Sequence, residues 1–206
     1  QRKIIIVPNG IEIPARRQRT PRRDRILFIG AFFHFPNLEA LEWLMKKVMP
    51  IVWRARPEVQ VIAAGRRPIP DGWEWLRSAA GLQCVESPRE LSELYDSAGV
   101  VVAPIQSGSG TKIKVLEALA NEAPLVSTSA GVHGIPVVPS VHYLLADAPE
   151  AFAQSCLNVL DNPESVDAMC KAGYDFVARY SWERVGRDFT EALPSILSGA
   201  GDSAGR

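Results

Sequence analysis

Between residues 103 and 120 the sequence gathers groups that could hold a phosphorylated ligand. An apolar run, Val100-Val101-Val102-Ala103, stops at Pro104. Gln106-Ser107-Gly108-Ser109-Gly110-Thr111-Lys112-Ile113-Lys114 follows and leads into Val115-Leu116-Glu117-Ala118-Leu119-Ala120. Glycines let the main chain come close to a ligand. The first turn of a helix offers unpaired N–H groups and a partial positive charge, a natural phosphate site. Lys112 and Lys114 sit where a cation is unfavourable unless an anion compensates it. Glu117, one turn on, could accept hydrogen bonds from hydroxyls such as those of a ribose. Two familiar phosphate motifs do not fit. A Walker A loop needs Gly-Lys-Ser/Thr, whereas the order here is Gly110-Thr111-Lys112. A dinucleotide fingerprint needs a third glycine where Ile113 stands, and it follows the first strand rather than about the fourth. A plain turn before a core helix is the other reading of the loop. Inside a helix the two lysines would lie about 200° apart. Only one is then expected to face a ligand, and Lys112 is nearer the helix start.

Few other residues have spacing that points to chemistry. His34, His133 and His142 are isolated, with no His-x-x-x-His and no Ser/His/Asp arrangement. His133 lies in a glycine-rich loop, Gly131-Val132-His133-Gly134, and is a candidate for ligand contact. His142 reads as structural. No Asp-x-Asp occurs, so no bound metal is expected. Cys84, Cys156 and Cys170 are odd in number and far apart, which suits reduced thiols better than a disulfide or zinc framework. The five tryptophans fall on helix-like segments and read as packing or surface residues.

These groups must be positioned by a scaffold, and composition limits its class. Apolar residues make up 47% and charged residues 22%, as in soluble globular domains. Lys plus Arg equals Asp plus Glu, which argues against a nucleic-acid partner. The exception to that balance is Arg16, Arg17, Arg19, Arg22, Arg23 and Arg25, a run with only Asp24 against it. It reads as a solvated linker or as a contact with anionic lipid or another domain. No apolar run is long enough to span a bilayer.

Strand-like runs occur at Ile26–Ile29, Val59–Ala64, Leu82–Val85, Val100–Ala103, Leu125–Thr128 and Val141–Leu145, with helix-like segments between them. A separate short run, Ile4–Val7, reads as a strand closed by Pro8-Asn9-Gly10. Leu38, Leu41, Met45 and Val48 recur at helical spacing. Ser87-Pro88-Arg89-Glu90, Asp147 with Glu150, Asn162 and Ser181 read as helix starts. Continuous apolar strands alternating with helices predict an α/β fold. It is a Rossmann-like, doubly wound parallel sheet of about six strands, covered on both faces. Ligands then bind beyond the carboxyl ends of the strands, where the strand order reverses.

The stretch Gly108–Ala120 resembles the donor-site motif of the group 1 family of retaining, GT-B-fold glycosyltransferases, in the subgroup reading GSGTKxKxLEALA. The similarity runs in order along most of the chain. It takes in Val7-Pro8-Asn9-Gly10, Phe28-Ile29-Gly30, Phe35-Pro36-Asn37, Pro124–Thr128, Gly131–Gly134 and Tyr180-Ser181-Trp182. The resemblance implies that Glu117 holds the donor's ribose and that the amides of Gly110, Thr111, Lys112 and Ile113 cradle its diphosphate. Gly108, Ser109, Gly30, Glu86 and His133 then belong to the donor side. Ser109 stands where the family's first glutamate falls. Ala31-Phe32-Phe33-His34 lacks the usual arginine and lysine after the first strand, which leaves Lys112 or Lys114 to supply the catalytic charge. The donor implied is a nucleotide-diphosphate sugar, used without cofactor or metal.

The resemblance also implies an interdomain linker over 1–25, the donor domain over 26–197 and a flexible tail over 198–206. A separate N-terminal Rossmann-like domain would bring the acceptor. The implied setting is the cytoplasm, with peripheral membrane contact through the full-length protein. The last helix, from Trp182 to about Leu193, is expected to leave Val185, Phe189 and Leu193 incompletely buried. Rival readings are a non-catalytic nucleotide-sugar-binding domain and a GT-B-like sugar-nucleotide epimerase.

Overall fold

The computed structural model describes residues 6–198 with the exception of Ser109. Its centre is a parallel sheet of six strands: β1 (Arg22–Ile29), β2 (Gln60–Gly65), β3 (Leu82–Glu86), β4 (Ala98–Ala103), β5 (Leu125–Ser127) and β6 (Leu144–Leu145). They lie in the order β3-β2-β1-β4-β5-β6. The chain therefore builds outward from β1 in one direction, then returns to β1 and builds in the other. β1 and β4 are neighbours, with Leu27 opposite Val101. The reversal of strand order falls between them, which is where a ligand crevice opens in such sheets.

Side chains along β1 alternate between two cores. Ile26 and Phe28 join a cluster with Leu38, Leu41, Leu44, Phe152 and Leu157 on one face. Leu27 and Ile29 join Tyr95, Val115, Leu116, Leu119 and Phe176 on the other. Both faces are apolar because both are covered by helices, and this is why the strands read as continuous hydrophobic runs. The helices on the first face include α1 (Phe35–Trp43), α2 (Met49–Ala55) and α7 (Pro149–Asp161). The second face is covered by α4 (Ser92–Ser97), α5 (Ile113–Ala120) and α8 (Asp167–Val177). Short helices α3 (Trp75–Ser78) and α6 (Ser129–Val132) lie in the crossovers, and α9 (Trp182–Ser198) ends the described chain.

Leu38, Leu41, Met45 and Val48 are all buried, as their spacing requires. Between α1 and α2 the helix widens into a π turn, Leu44–Val48, just before Pro50. Proline has no N–H for the helical ladder and its ring crowds the preceding turn, so the wider turn relieves that contact.

Three local expectations change. Ile6 and Val7 are outside any strand and exposed, at 88% and 47%, while Ile4 and Ile5 lie outside the described residues. Instead, Ile11 is stitched to the start of α9: its N–H donates to Tyr180 O at 2.8 Å, and Trp182 N–H donates to Ile11 O at 3.3 Å. Ser87 is not a helix cap: it lies in the left-handed region at φ 51°, its Oγ accepts from Arg67 N–H, and α4 begins at Ser92. Asp147 does not cap α7; its carboxylate accepts from Ser129 N–H and Oγ–H. Ser181 does act as a cap, its Oγ accepting from Arg184 N–H at 3.1 Å.

The arginine run is only partly solvated: Arg16, Arg22 and Arg23 are exposed, while Arg17, Arg19 and Arg25 are partly buried. β1 starts at Arg22, and the residues before it are laid against the domain. Arg17 pairs with Asp96 and donates to Asn121 Oδ1 at 2.9 Å. Arg16 reaches Glu122 and Asp175, each at 2.8 Å. Arg19 donates to three main-chain carbonyls, Tyr95, Ala98 and Glu122, at 2.5–3.3 Å. These carbonyls lie at or just beyond the carboxyl ends of α4 and α5, where helices leave acceptors unmet. Burial lowers the Arg19 pKa, with Cys170 and Asp96 opposing. Arg19→Ala is expected to cost about 2–3 kcal/mol, because charged hydrogen bonds are lost and their acceptors stay buried. Urea unfolding checks this; a loss under about 0.5 kcal/mol, the range of ordinary surface substitutions, would mean that the carbonyls find other donors.

Val185 of α9 is buried, whereas Trp182 and Phe189 are 62% and 43% exposed and Leu193 is half-buried. The apolar face expected to be incompletely covered is therefore open at Phe189 and closed at Val185. Cys156 and Cys170 are buried and Cys84 is half-buried, all as free thiols. Burial pushes the Cys84 and Cys156 thiols up, and it pushes the Cys170 thiol up to about 12.

Candidate functional site

Two hollows open at the carboxyl edge of the sheet, one on each side of the start of α5. The smaller, about 140 Å³, lies between the loop after β1 and the loop after β4. It is lined by His34, Pro36 and Asn37 from the first loop, and by Ile105, Ser107, Gly108, Gly110, Thr111, Lys112 and Lys114 from the second. This is the point where the strand order reverses. The larger, about 490 Å³, is floored by the ends of β1 and β2, at Gly30, Ala31, Ala64 and Gly65. Arg66, Arg89, Leu91, Ile113 and Glu117 line its walls.

Close backbone packing makes this floor. A Cβ on Gly65 would stand 2.1 Å from Gly30 O, and one on Gly30 would stand 2.7 Å from the Asn37 side chain. Gly108 takes φ 110°, which an L side chain rarely adopts, so the turn over the smaller hollow requires glycine there.

The two lysines share the smaller hollow, against the expectation that only one would face it. The 200° argument assumed both were helical. Lys112 is instead the residue before α5, with φ −76° and ψ 52°, so only Lys114 obeys helical geometry. Lys112 is 8% exposed, and its Nζ donates back to Gly108 O at 3.0 Å, closing the loop on itself. Burial lowers its pKa. Lys114 Nζ donates to Asn37 Oδ1 and sits 5.3 Å from the centre of the Phe28 ring. Burial, with Lys112 adding to it and Glu117 opposing, lowers the Lys114 pKa to about 7. Of the four loop amides, that of Ile113 is taken internally, donating to Thr111 O at 2.7 Å.

Glu117 faces the other hollow. Its Oε2 accepts from the buried Tyr95 hydroxyl at 3.4 Å. Burial raises its pKa, while Tyr95, Lys114 and Arg66 pull it down. One carboxylate oxygen is thus positioned by Tyr95 on a rigid helix turn, which is how an acceptor for two neighbouring hydroxyls is held.

The structure thus brings Gly108, Gly110, Thr111, Lys112 and Lys114 together on one side, and Gly30, Ile113 and Glu117 on the other. Ser109 lies outside the described residues. Glu86 and His133 join neither hollow. The Glu86 carboxylate is held by Arg77 at 3.1 Å, and His133 is exposed where α6 ends. His142 is structural: it accepts from Val138 N–H and packs on the Phe176 ring at 4.8 Å. Three contributors were not picked out from sequence: Asn37, Arg66 and Arg89. Arg66 was findable, since it directly follows Gly65 at the carboxyl end of a strand. Asn37 and Arg89 carry no comparable mark.

A family model described as glycosyl transferases group 1 matches residues 23–162. The chain belongs to the group 1 glycosyltransferases. This glycosyltransferase chain is 26% identical over 220 residues to a D-inositol 3-phosphate glycosyltransferase of Segniliparus rotundus, covering 96% of the chain and 48% of the relative. Its fold matches S. aureus TarM, solved with fondaparinux, alpha-GlcNAc-glycerol and UDP. The TM-score is 0.71 at 14% identity, over 91% of this chain and 38% of that one. It also matches the C-terminal domain of a group 1 family glycosyl transferase from Francisella tularensis. There the TM-score is 0.62 at 16% identity, over 82% of this chain and 95% of that one. The fold is thus the Rossmann-like, GT-B type expected from the motif. The glycosyltransferase chain spans less than half the length of the curated relatives it matches.

Proposed function

We propose that this chain is the donor-binding half of a retaining glycosyltransferase that uses a nucleotide-diphosphate sugar. The observation that carries the reading is the pair of hollows on either side of the first turn of α5. One is lined by two lysines and the other by a positioned carboxylate. The nucleoside fits the larger hollow, its ribose hydroxyls donating to Glu117. The diphosphate crosses the start of α5, where Lys112, Lys114 and the amides of Gly110 and Thr111 converge. The sugar extends from the smaller hollow toward the acceptor. In transfer, the bond between the anomeric carbon and the β-phosphate oxygen breaks and the electron pair leaves with the diphosphate. Fixed positive charge beside that oxygen stabilises the departing group most when its charge is greatest, which lowers the barrier. That a structure of S. aureus TarM was solved with UDP is in keeping with a nucleotide ligand.

The test is calorimetry of the purified chain with UDP, GDP and ADP against their nucleosides. At least one diphosphate should bind far better than its nucleoside. Glu117→Gln should weaken that diphosphate by about tenfold, the effect of losing roughly 1–2 kcal/mol of charged hydrogen bonding. Equal affinity of diphosphates and nucleosides, or an unchanged Glu117→Gln variant, overturns the assignment. Product analysis in the full-length protein separates transfer from isomerised donor and from binding without turnover.

A further inference from the structure

The loop after β1 lacks a cation over Ala31-Phe32-Phe33-His34, yet it is not electrostatically idle. Asn37, at the first turn of α1, is buried at 8% exposure. Its Nδ2 donates to Ala31 O at 3.0 Å. That bond fixes which end of the amide faces the hollow, so Oδ1 points at Lys114 and accepts from its ammonium. Gly30 leaves the room this arrangement needs, since a Cβ there would lie 2.7 Å from Asn37 Cγ. The face of the Phe28 ring lies on the ammonium's apolar side. An ammonium has three donors. One is used by Asn37, so the others can serve the hollow that Asn37, Gly108, Gly110 and Thr111 line.

We propose that Asn37 is the positioning residue of this site: with the Phe28 ring it holds the Lys114 ammonium at the mouth of the loop after β1, so that α5 supplies the cation that loop lacks. The inference rests on the donor-site reading above. It explains why a lysine one residue into a buried helix is kept half-buried beside an amide rather than turned to solvent. It also implies that diphosphate binding is coupled to proton uptake. With its pKa lowered to about 7, Lys114 is only partly protonated around neutral pH when the site is empty, and it must be charged to meet an anion. The charged or titratable groups around it are Lys112 in the loop before α5, Glu117 of α5, His34 in the loop after β1, and Glu39 of α1, which holds Ser107 Oγ at 2.7 Å.

The experiment titrates inorganic pyrophosphate into the 206-residue chain from about pH 5.5 to pH 9.5. The wild-type affinity should fall as pH rises through the region of the Lys114 pKa. In Asn37→Asp the new carboxylate should hold the ammonium charged to higher pH, moving that midpoint up by about one unit. The same carboxylate should weaken binding at low pH by like-charge repulsion. In Asn37→Ser the ammonium loses its acceptor, so the midpoint should move down and affinity should drop about tenfold. A purely structural Asn37 would change melting temperature or affinity and leave the midpoint where it was; that result overturns the proposal while the donor site stands. A wild-type chain that binds neither pyrophosphate nor any of UDP, GDP and ADP overturns the donor-site reading itself. Should both variants unfold, labelled-lysine NMR of the wild type decides. The Lys114 side-chain signal must shift on adding pyrophosphate, and a silent signal overturns the proposal.

Discussion

Lys114→Met is expected to lose about 100-fold in nucleoside-diphosphate affinity and to gain thermal stability. The loss follows from removing a charge-assisted contact, roughly 2–3 kcal/mol in a partly dry site. The gain follows from the state of the lysine in the empty protein. Its pKa is near 7 when folded against 10.5 ordinarily, so the unfolded chain holds the proton more tightly between those values. Wild-type stability therefore rises with pH across that window, and the penalty from Lys114 is largest at or below about pH 7. Methionine fits the same space without a charge. The variant's advantage in melting temperature should thus be clear at pH 6 and shrink by pH 9. The lost bond to Asn37 offsets part of the gain at both. Thermal unfolding at the two pH values, with calorimetry for binding, checks both halves. An advantage that grows with pH contradicts the burial of a charged Lys114. Unchanged affinity removes it from the donor site.

Glycosyl transfer by residues 1–206 alone is expected to be undetectable, even where the chain is expected to bind donor. Both hollows lie at one edge of one sheet, and the chain spans 48% of the Segniliparus relative and 41% of a Klebsiella pneumoniae one. A two-substrate reaction draws much of its rate from holding both reactants in register, worth factors of about 10⁵ or more in effective concentration. A donor site without the surface that presents the acceptor forfeits that factor. The assay gives the purified chain a panel of nucleotide sugars with saccharide and lipid acceptors and follows products by mass spectrometry. Adding the remainder of the full-length protein should restore turnover. Transfer by the chain alone would place the acceptor site within it, and the division of labour proposed here would fall.

The sheet was legible because its central strands bury both faces. Ile26–Ile29 and Val100–Ala103 have almost no choice but to be interior strands, and Leu38, Leu41, Met45 and Val48 show the helix that covers them. Ile4–Val7 looked equally strand-like, yet Ile6 and Val7 pair with nothing in the sheet and are exposed, because a short apolar run does not say whether a neighbour exists. Glu117 and the glycine loop could be placed from order alone. The relation of Lys112 to Lys114 could not, since it turns on one residue's departure from helical φ and ψ. Asn37 was invisible as a site residue for another reason: its partner is 77 positions away. The arginine run misled in part for the same reason. Its partners, Asp96, Glu122, Asp175 and the carbonyls at the ends of α4 and α5, come from three distant stretches that composition does not connect.

The placing of the three thiols bears on how this domain can be handled. Cys156 and Cys170 are enclosed and Cys84 is half covered, and burial holds all three away from the reactive thiolate form. Maleimide chemistry near neutral pH should therefore leave the native chain largely unmarked. A single cysteine introduced at His133, exposed and outside both hollows, would then carry a dye or spin label against a quiet background. Distances from that label to a second probe elsewhere in the full-length protein could be read without first stripping the native cysteines from a core that depends on them.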